Sequence, residues 1–198
     1  MRARRLASLL LICGSFVGLA ACHKASTSPG AASAPLSSDE ARLFERGVDF
    51  VAKPAGLEGR WRADWNAELE QRVRSADLVA LVTVRTLRTD TAPDQRVTHR
   101  LAVHVDRVIT GKGPSDELEL SANESAAGFA SLDQSISRMA DQKFVAFVKW
   151  SPDASSGEPV AYFHLSPASD EVLTETEGTV TRVRPREQGQ GDRVIVHS

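Results

Sequence analysis

Two spacings of apolar residues succeed one another along the chain. Over Arg60 to Ser75, Trp61, Trp65, Leu69 and Val73 recur at every fourth position, with Glu68, Glu70, Arg72 and Arg74 around the rest of the turn. That period predicts an amphipathic helix with an aromatic stripe needing a partner surface. From Ala76 the pattern changes to strands. Leu78-Val79-Ala80-Leu81-Val82-Thr83-Val84 is dense in β-formers and runs into a polar stretch, Arg88 to Asp94, that reads as a loop. Leu101, Val103 and Val105 then alternate with Arg100, Ala102, His104 and Asp106 in a second strand, which ends at Val108-Ile109 before the turn Gly111-Lys112-Gly113-Pro114. Leu118 and Leu120 alternate in a shorter third strand.

Small and polar residues from Ser121 to Gly128 predict a loop. Ser131-Leu132-Asp133-Gln134 after it has the spacing of a capping box, and Leu132, Ile136 and Met139 share one face of the short helix it would start. The unbroken run Phe144-Val145-Ala146-Phe147-Val148 predicts a central strand covered on both faces. Val160 to Leu165 reads as a fifth strand, and Val180 to Val183 and Arg193 to Val196 as a terminal hairpin across Pro185 to Asp192. Ahead of the long helix, Ser38-Asp39-Glu40-Ala41-Arg42 has residues suited to start a short one, and Pro54 and Gly56 then break the pattern.

The N-terminus has a different grammar. Arg2, Arg4 and Arg5 precede an apolar run from Leu6 to Val17, and small residues lead into Cys22. A charged start, an apolar stretch and an alanine pair make a signal peptide over residues 1–21. Residues 22–38 are mostly Ala, Ser, Thr and Pro, with nothing large enough to pack, and read as a flexible tether. Residues 39–75 form a helical lead-in, and 76–198 the β-domain with its C-terminal hairpin.

Removing residues 1–21 takes three arginines and no acids from the 24 basic and 26 acidic residues, leaving 21 and 26 and a charge of -5. A mildly acidic chain with no basic run lacks the electrostatic footprint of a nucleic-acid binder. Of the two cysteines, Cys13 lies inside the signal, so the exported domain has no disulfide and relies on its apolar core.

Leu19-Ala20-Ala21-Cys22 resembles the lipobox of bacterial lipoproteins. The resemblance implies lipid attachment at Cys22, a membrane partner held through that lipid, and residence in the cell envelope. An Asp after the cysteine favours inner-membrane retention in enterobacterial relatives; His23 stands there instead, which implies the outer membrane, facing the periplasm. The body has a second resemblance. Three strands, a short helix and two strands, with Ala76 to Val84, Val108-Ile109-Thr110-Gly111-Lys112-Gly113 and Lys143 to Val148 as its marks, look like the OB-type barrel of metalloproteinase inhibitors and netrin-like modules. The expected fold is therefore mainly β: a five-stranded OB-like barrel, with the short helix between strands 3 and 4 and the amphipathic helix before it. The inhibitors' zinc chelation by a free N-terminal cysteine does not carry over, because acylation of Cys22 removes the amine lone pair.

Chemistry is sparse. The five histidines, His23, His99, His104, His164 and His197, form no His-x-x-x-His or His-Glu-x-x-His pair. His104 and Asp106 share a strand face and are a candidate base and orienting acid; a solvated polar row is the plainer reading. Asp133 and Asp141 flank the short helix as a nominal carboxylate pair, or as helix-end charges facing water. Gly-x-Ser-x-Gly and phosphate-binding loops are absent. No catalytic residue, metal ligand or cofactor is assigned; Cys22 is the one site residue. The sequence leads to a non-enzymatic envelope lipoprotein that binds a protein or other envelope ligand. The alternative is a protease-inhibitor-like module acting through the Arg88 to Gln95 and Ser121 to Phe129 loops.

Overall fold

A computed structural model describes residues 35–153 and 157–184. The signal peptide, Cys22, His23, His197 and the Arg193 to Val196 arm lie outside them. The elements run α1 (Ser38–Leu43), β1 (Gly47–Val48), a 3-10 turn (Pro54–Gly56), α2 (Gly59–Ser75), β2 (Leu78–Thr91), β3 (Val97–Gly111), β4 (Glu117–Asn123), α3 (Phe129–Ser135) with a 3-10 extension, β5 (Lys143–Pro152), β6 (Pro159–Pro167) and α4 (Asp170–Val183).

The strands form one six-stranded mixed sheet in the order β1-β6-β5-β2-β3-β4. It curls into a half-barrel and does not close. The expected five-stranded barrel is thus corrected in both strand number and closure. The curl has a visible origin. β5 pairs with the first part of β2, up to Thr83, whereas β4 pairs with β3 over Thr98 to His104, nearer the tip of the long β2–β3 hairpin. Three irregularities in the β2–β3 ladder, between Val79/Ala80, Leu81/Val82 and Val84/Thr86, add local bends.

Closure fails because the edge of β6 is already taken. The two residues of β1 pair with it in parallel, Gly47 opposite His164 and Val48 opposite Leu165. The far side of β1 is held by the α3 segment, where the Gly128 amide donates to Glu45 O at 2.8 Å and the Val48 amide to Ser131 Oγ at 3.1 Å. The two backbones meet at a pair of glycines: a Cβ on Gly128 would lie 2.5 Å from Gly47 Cα, closer than any side chain tolerates. This contact also explains a displaced cap. Ser131, expected to start the short helix, sits in its first turn instead, donating to Gly128 O, while the helix begins at Phe129.

The concave face of the sheet is dry, and so is the convex face over β5 and the first part of β2, while the outer face of β3 and β4 meets water. The concave face buries Val82, Val84, Leu101, Val103, Leu120, Ala146 and Phe163 against Leu132 and Met139 from the α3 segment. The convex face buries Val79, Val145 and Phe147 against Leu43 and Phe44 of the α1 segment, Trp65, Leu69 and Val73 of α2, and Val172 of α4. Phe144 to Val148 is buried throughout and lies on an interior strand, which is why it reads as a run without alternation.

Several expected elements move. The helical stripe of α2 packs through Trp65, Leu69 and Val73, but Trp61 in the first turn is 68% exposed, with Arg60 beside its ring. Arg88 to Thr91 is strand, paired to Val97 to Arg100, so the loop shrinks to 92–96. Ser121 to Asn123 likewise completes β4. Val180 to Val183, expected as a hairpin arm, forms the last turn of α4; Ser169 caps that helix by accepting from the Val172 amide, and Val172, Thr176 and Thr179 supply its buried stripe. Helical spacing and a good cap outweigh the strand preference of Thr and Val there.

Candidate functional site

His99 and His104 point to opposite faces of β3, as five residues' separation on a strand requires. His99 faces inward and is almost fully buried. Thr89, directly across the β2–β3 ladder, places its hydroxyl 2.9 Å from Nδ1, and Asp133 of α3 places Oδ1 2.8 Å from Nε2. An ionised carboxylate only accepts, so Nε2–H donates to Asp133 and Nδ1 accepts from Thr89. Phe129, one turn before Asp133, stacks on the ring with centroids 4.9 Å apart. Asp133 is the helix-end charge at the surface that the sequence implied, and it also holds α3 to the sheet. Asp141 is not joined to it; Asp141 pairs at 3.9 Å with Arg85.

His104 and Asp106 do share the outer face, at 3.9 Å. Asp106 is committed elsewhere, accepting from Thr83 Oγ1 at 2.6 Å with Lys143 Nζ at 3.6 Å, while Asp116 lies 3.3 Å from His104 Nδ1. The pair belongs to a wet row of alternating charges.

A second buried polar set joins three residues that the sequence left unconnected. His164 and Ser166 alternate outward on β6, and Asp49 follows β1, which lies beside β6. Asp49 Oδ2 accepts from His164 Nε2 at 3.0 Å and from Ser166 Oγ at 2.6 Å, and its Oδ1 accepts from the Val51 amide at 3.0 Å. Arg72 of α2 is buried nearby, donating to Leu43 O at 3.2 Å and to Glu68 at 2.9 Å. Ser, His and Asp are the residue types of a hydrolase triad, but the connectivity differs: the serine donates to the aspartate, whereas a relay needs it on the imidazole.

Burial pushes the Asp49 carboxyl up, but the hydrogen bond and charge of His164, then Ser166 and the Val51 amide, outweigh it and hold the group below its ordinary 3.8. Burial, reinforced by the Arg72 charge, drives His164 below its ordinary 6.5 despite the opposing pull of Asp49. The geometry explains why. Nδ1 of His164 is buried with no hydrogen-bond partner. As a neutral ring that nitrogen is an unmatched acceptor; a protonated ring would bury an unmatched charged donor, which costs more. Burial also pushes the Arg72 guanidinium down, countered by the charges of Glu68, Asp49 and Glu45. Asp49 fastens the end of β1 to β6, and Arg72 ties α2 to the end of α1.

Beside it, at the seam between the β6 and β4 sides of the sheet, lies a cleft of about 470 Å³. Phe44, Glu45, Arg46 and Tyr162 line one side, and Arg96, Asn123, Ser125 and Ala126 contribute from the β4 side. Arg46 has a left-handed backbone with φ 60°, fixed by its amide donating to Phe163 O at 2.8 Å. Its guanidinium carbon lies 4.1 Å from the Tyr162 ring centroid. The residue is 9% exposed, and its Nε has no hydrogen-bond partner.

Among the described residues no group of three or more His, Cys, Asp and Glu is placed to hold a metal ion, and no helix is long and apolar enough to cross a membrane. No protein-family model matches the chain, and no curated protein matches it.

Sequence reasoning passed over Asp49, Arg46 and Tyr162. Outward alternation on the fifth strand, Tyr162, His164 and Ser166 between Phe163 and Leu165, was the available signal that a polar row faced something. Nothing in Arg46-Gly47-Val48-Asp49 announces a two-residue strand. Its place is set by β6, more than 110 residues away.

Proposed function

We propose that this chain is a membrane-anchored bacterial envelope lipoprotein whose body is a non-enzymatic binding or assembly module. The observation that carries the reading is Leu19-Ala20-Ala21-Cys22 at the end of a charged and then apolar N-terminus. Cys22 is the lipid attachment residue, and residues 23–36 span from the anchor to Ser37, the cap of α1. The chain order of three strands, a helix and two strands, carried in the sheet as β6-β5-β2-β3-β4, supports an OB-type module opened between β4 and β6. A binding role is favoured over catalysis by the state of the polar groups: His99, Asp49 and Ser166 are engaged in bonds that fasten elements together, while the seam cleft holds an arginine with a free donor.

Each buried methylene of an acyl chain contributes roughly 0.8 kcal/mol of membrane affinity, so one chain holds marginally and two or three hold durably. The test is a Cys22→Ser chain expressed beside the wild type with labelled palmitate. The wild type takes up label and sediments with the outer membrane; the variant takes up none and accumulates as uncut precursor. Label retained by the variant, or membrane association of the variant after the signal has been removed, refutes the anchor.

A further inference from the structure

We infer that the seam cleft is a binding site for a small ligand bearing a free, singly charged carboxylate, received by Arg46. This deepens the reading of a binding module and rests on it, though not on lipidation of Cys22. An arginine offers its Nε and one Nη as parallel donors that match the two oxygens of a carboxylate. Here the guanidinium plane is placed by Tyr162, 4.1 Å from its ring centroid, and the Nε–H is buried without an acceptor. A buried donor left unpaired is costly, and more so where the group is charged. The fold bears that cost at a position where the backbone is itself in the left-handed region, φ 60°, in the wall of a cleft of about 470 Å³. That volume lies within the range of small-molecule pockets.

The charges on the walls narrow the ligand. Glu45 and Asp153 line the same cleft as Arg46 and Arg96, and Arg96 is already paired at 2.6 Å with Asp94. A dianionic phosphate would meet the Glu45 carboxylate across from one available guanidinium. A monoanion bears less of that repulsion while keeping the bidentate pairing. Acylated amino acids and short peptides with a free C-terminus have this chemistry.

The chain contains a single tyrosine, and it is the one in the cleft. The full-length protein in detergent, labelled with 3-fluorotyrosine, therefore gives one fluorine resonance that reports the site. It is titrated with N-acetylalanyl-alanine, with the matching C-terminal amide, and with inorganic phosphate. The expected result is a saturable shift with the free acid and none at equal concentration with the amide or phosphate. Arg46→Lys, which keeps the charge and loses the fork, weakens binding at least tenfold, and Arg96→Gln changes it less than threefold. Circular dichroism verifies that each variant is folded. An equal response to acid and amide, a stronger response to phosphate, wild-type affinity in folded Arg46→Lys, or no response to the acid each overturns the assignment. None of these outcomes bears on the lipid at Cys22, which palmitate labelling reads separately.

Discussion

The two faces of the sheet each bury one histidine, and they treat it differently. On the concave side His99 has both ring nitrogens bonded, one to Thr89 across the ladder and one to a carboxylate whose other side meets water. On the convex side His164 has one nitrogen on Asp49 and one on nothing, within a set that also contains the buried Arg72. The first is a satisfied latch. The second depends on every member staying in place, because a charge or donor orphaned in a low-dielectric interior is expensive. The difference arises from the cover on each face. A short helix laid over the concave side leaves Asp133 at the rim, while α1, α2 and α4 cover the convex side and leave Asp49 only 20% exposed.

The strongest way to break this contrast is Asp49→Ala. It leaves His164, Ser166 and the Val51 amide without their acceptor and removes an anion near Arg72, so the expected loss of unfolding free energy is about 3–5 kcal/mol in a denaturant titration. A loss below about 1 kcal/mol would make the convex set no more than another latch.

Acid sharpens the comparison next. The folded pKa of His164 lies below its ordinary 6.5, so between the two values the unfolded chain binds the additional proton and stability falls as the pH drops below 6.5. Asp49, held below 3.8, adds a second decline of the same sign at lower pH, where the unfolded chain again binds the proton first. In His164→Gln, whose amide keeps a donor for Asp49, the first decline is expected to be shallower than in the wild type. An unchanged slope in melts across that range would mean that His164 is not the group responsible.

Asp133→Ala is the mildest. It frees one nitrogen of His99 at a place water can reach, and the expected cost is about 1 kcal/mol. The same variant should raise amide exchange in α3, where Asp133 is one of the ties to the sheet.

How much of this was legible in the sequence depends on the range of the interactions. Alternation at Leu101, Val103 and Val105 and the four-residue stripe at Trp65, Leu69 and Val73 are local, and both elements stand where the pattern puts them. Arg88 to Thr91 looked like a loop because polar residues on the exposed end of a hairpin lack a hydrophobic face to advertise it. The openness of the sheet turns on Gly47 and Val48, two residues whose strand character comes from the edge of β6 and the glycine contact with Gly128. The candidate cleft was illegible for the same reason: Arg46, Tyr162 and Asn123 meet only because the sheet stops short of closing there.

The protein's proposed place in the cell stands on Cys22. Its most direct test is mass spectrometry of the N-terminal peptide from protein purified out of its native membrane. The prediction is a peptide that begins at Cys22 and carries the added mass of a diacylglyceryl group, with or without an N-acyl chain. A peptide that begins elsewhere, or an unmodified Cys22, would contradict it.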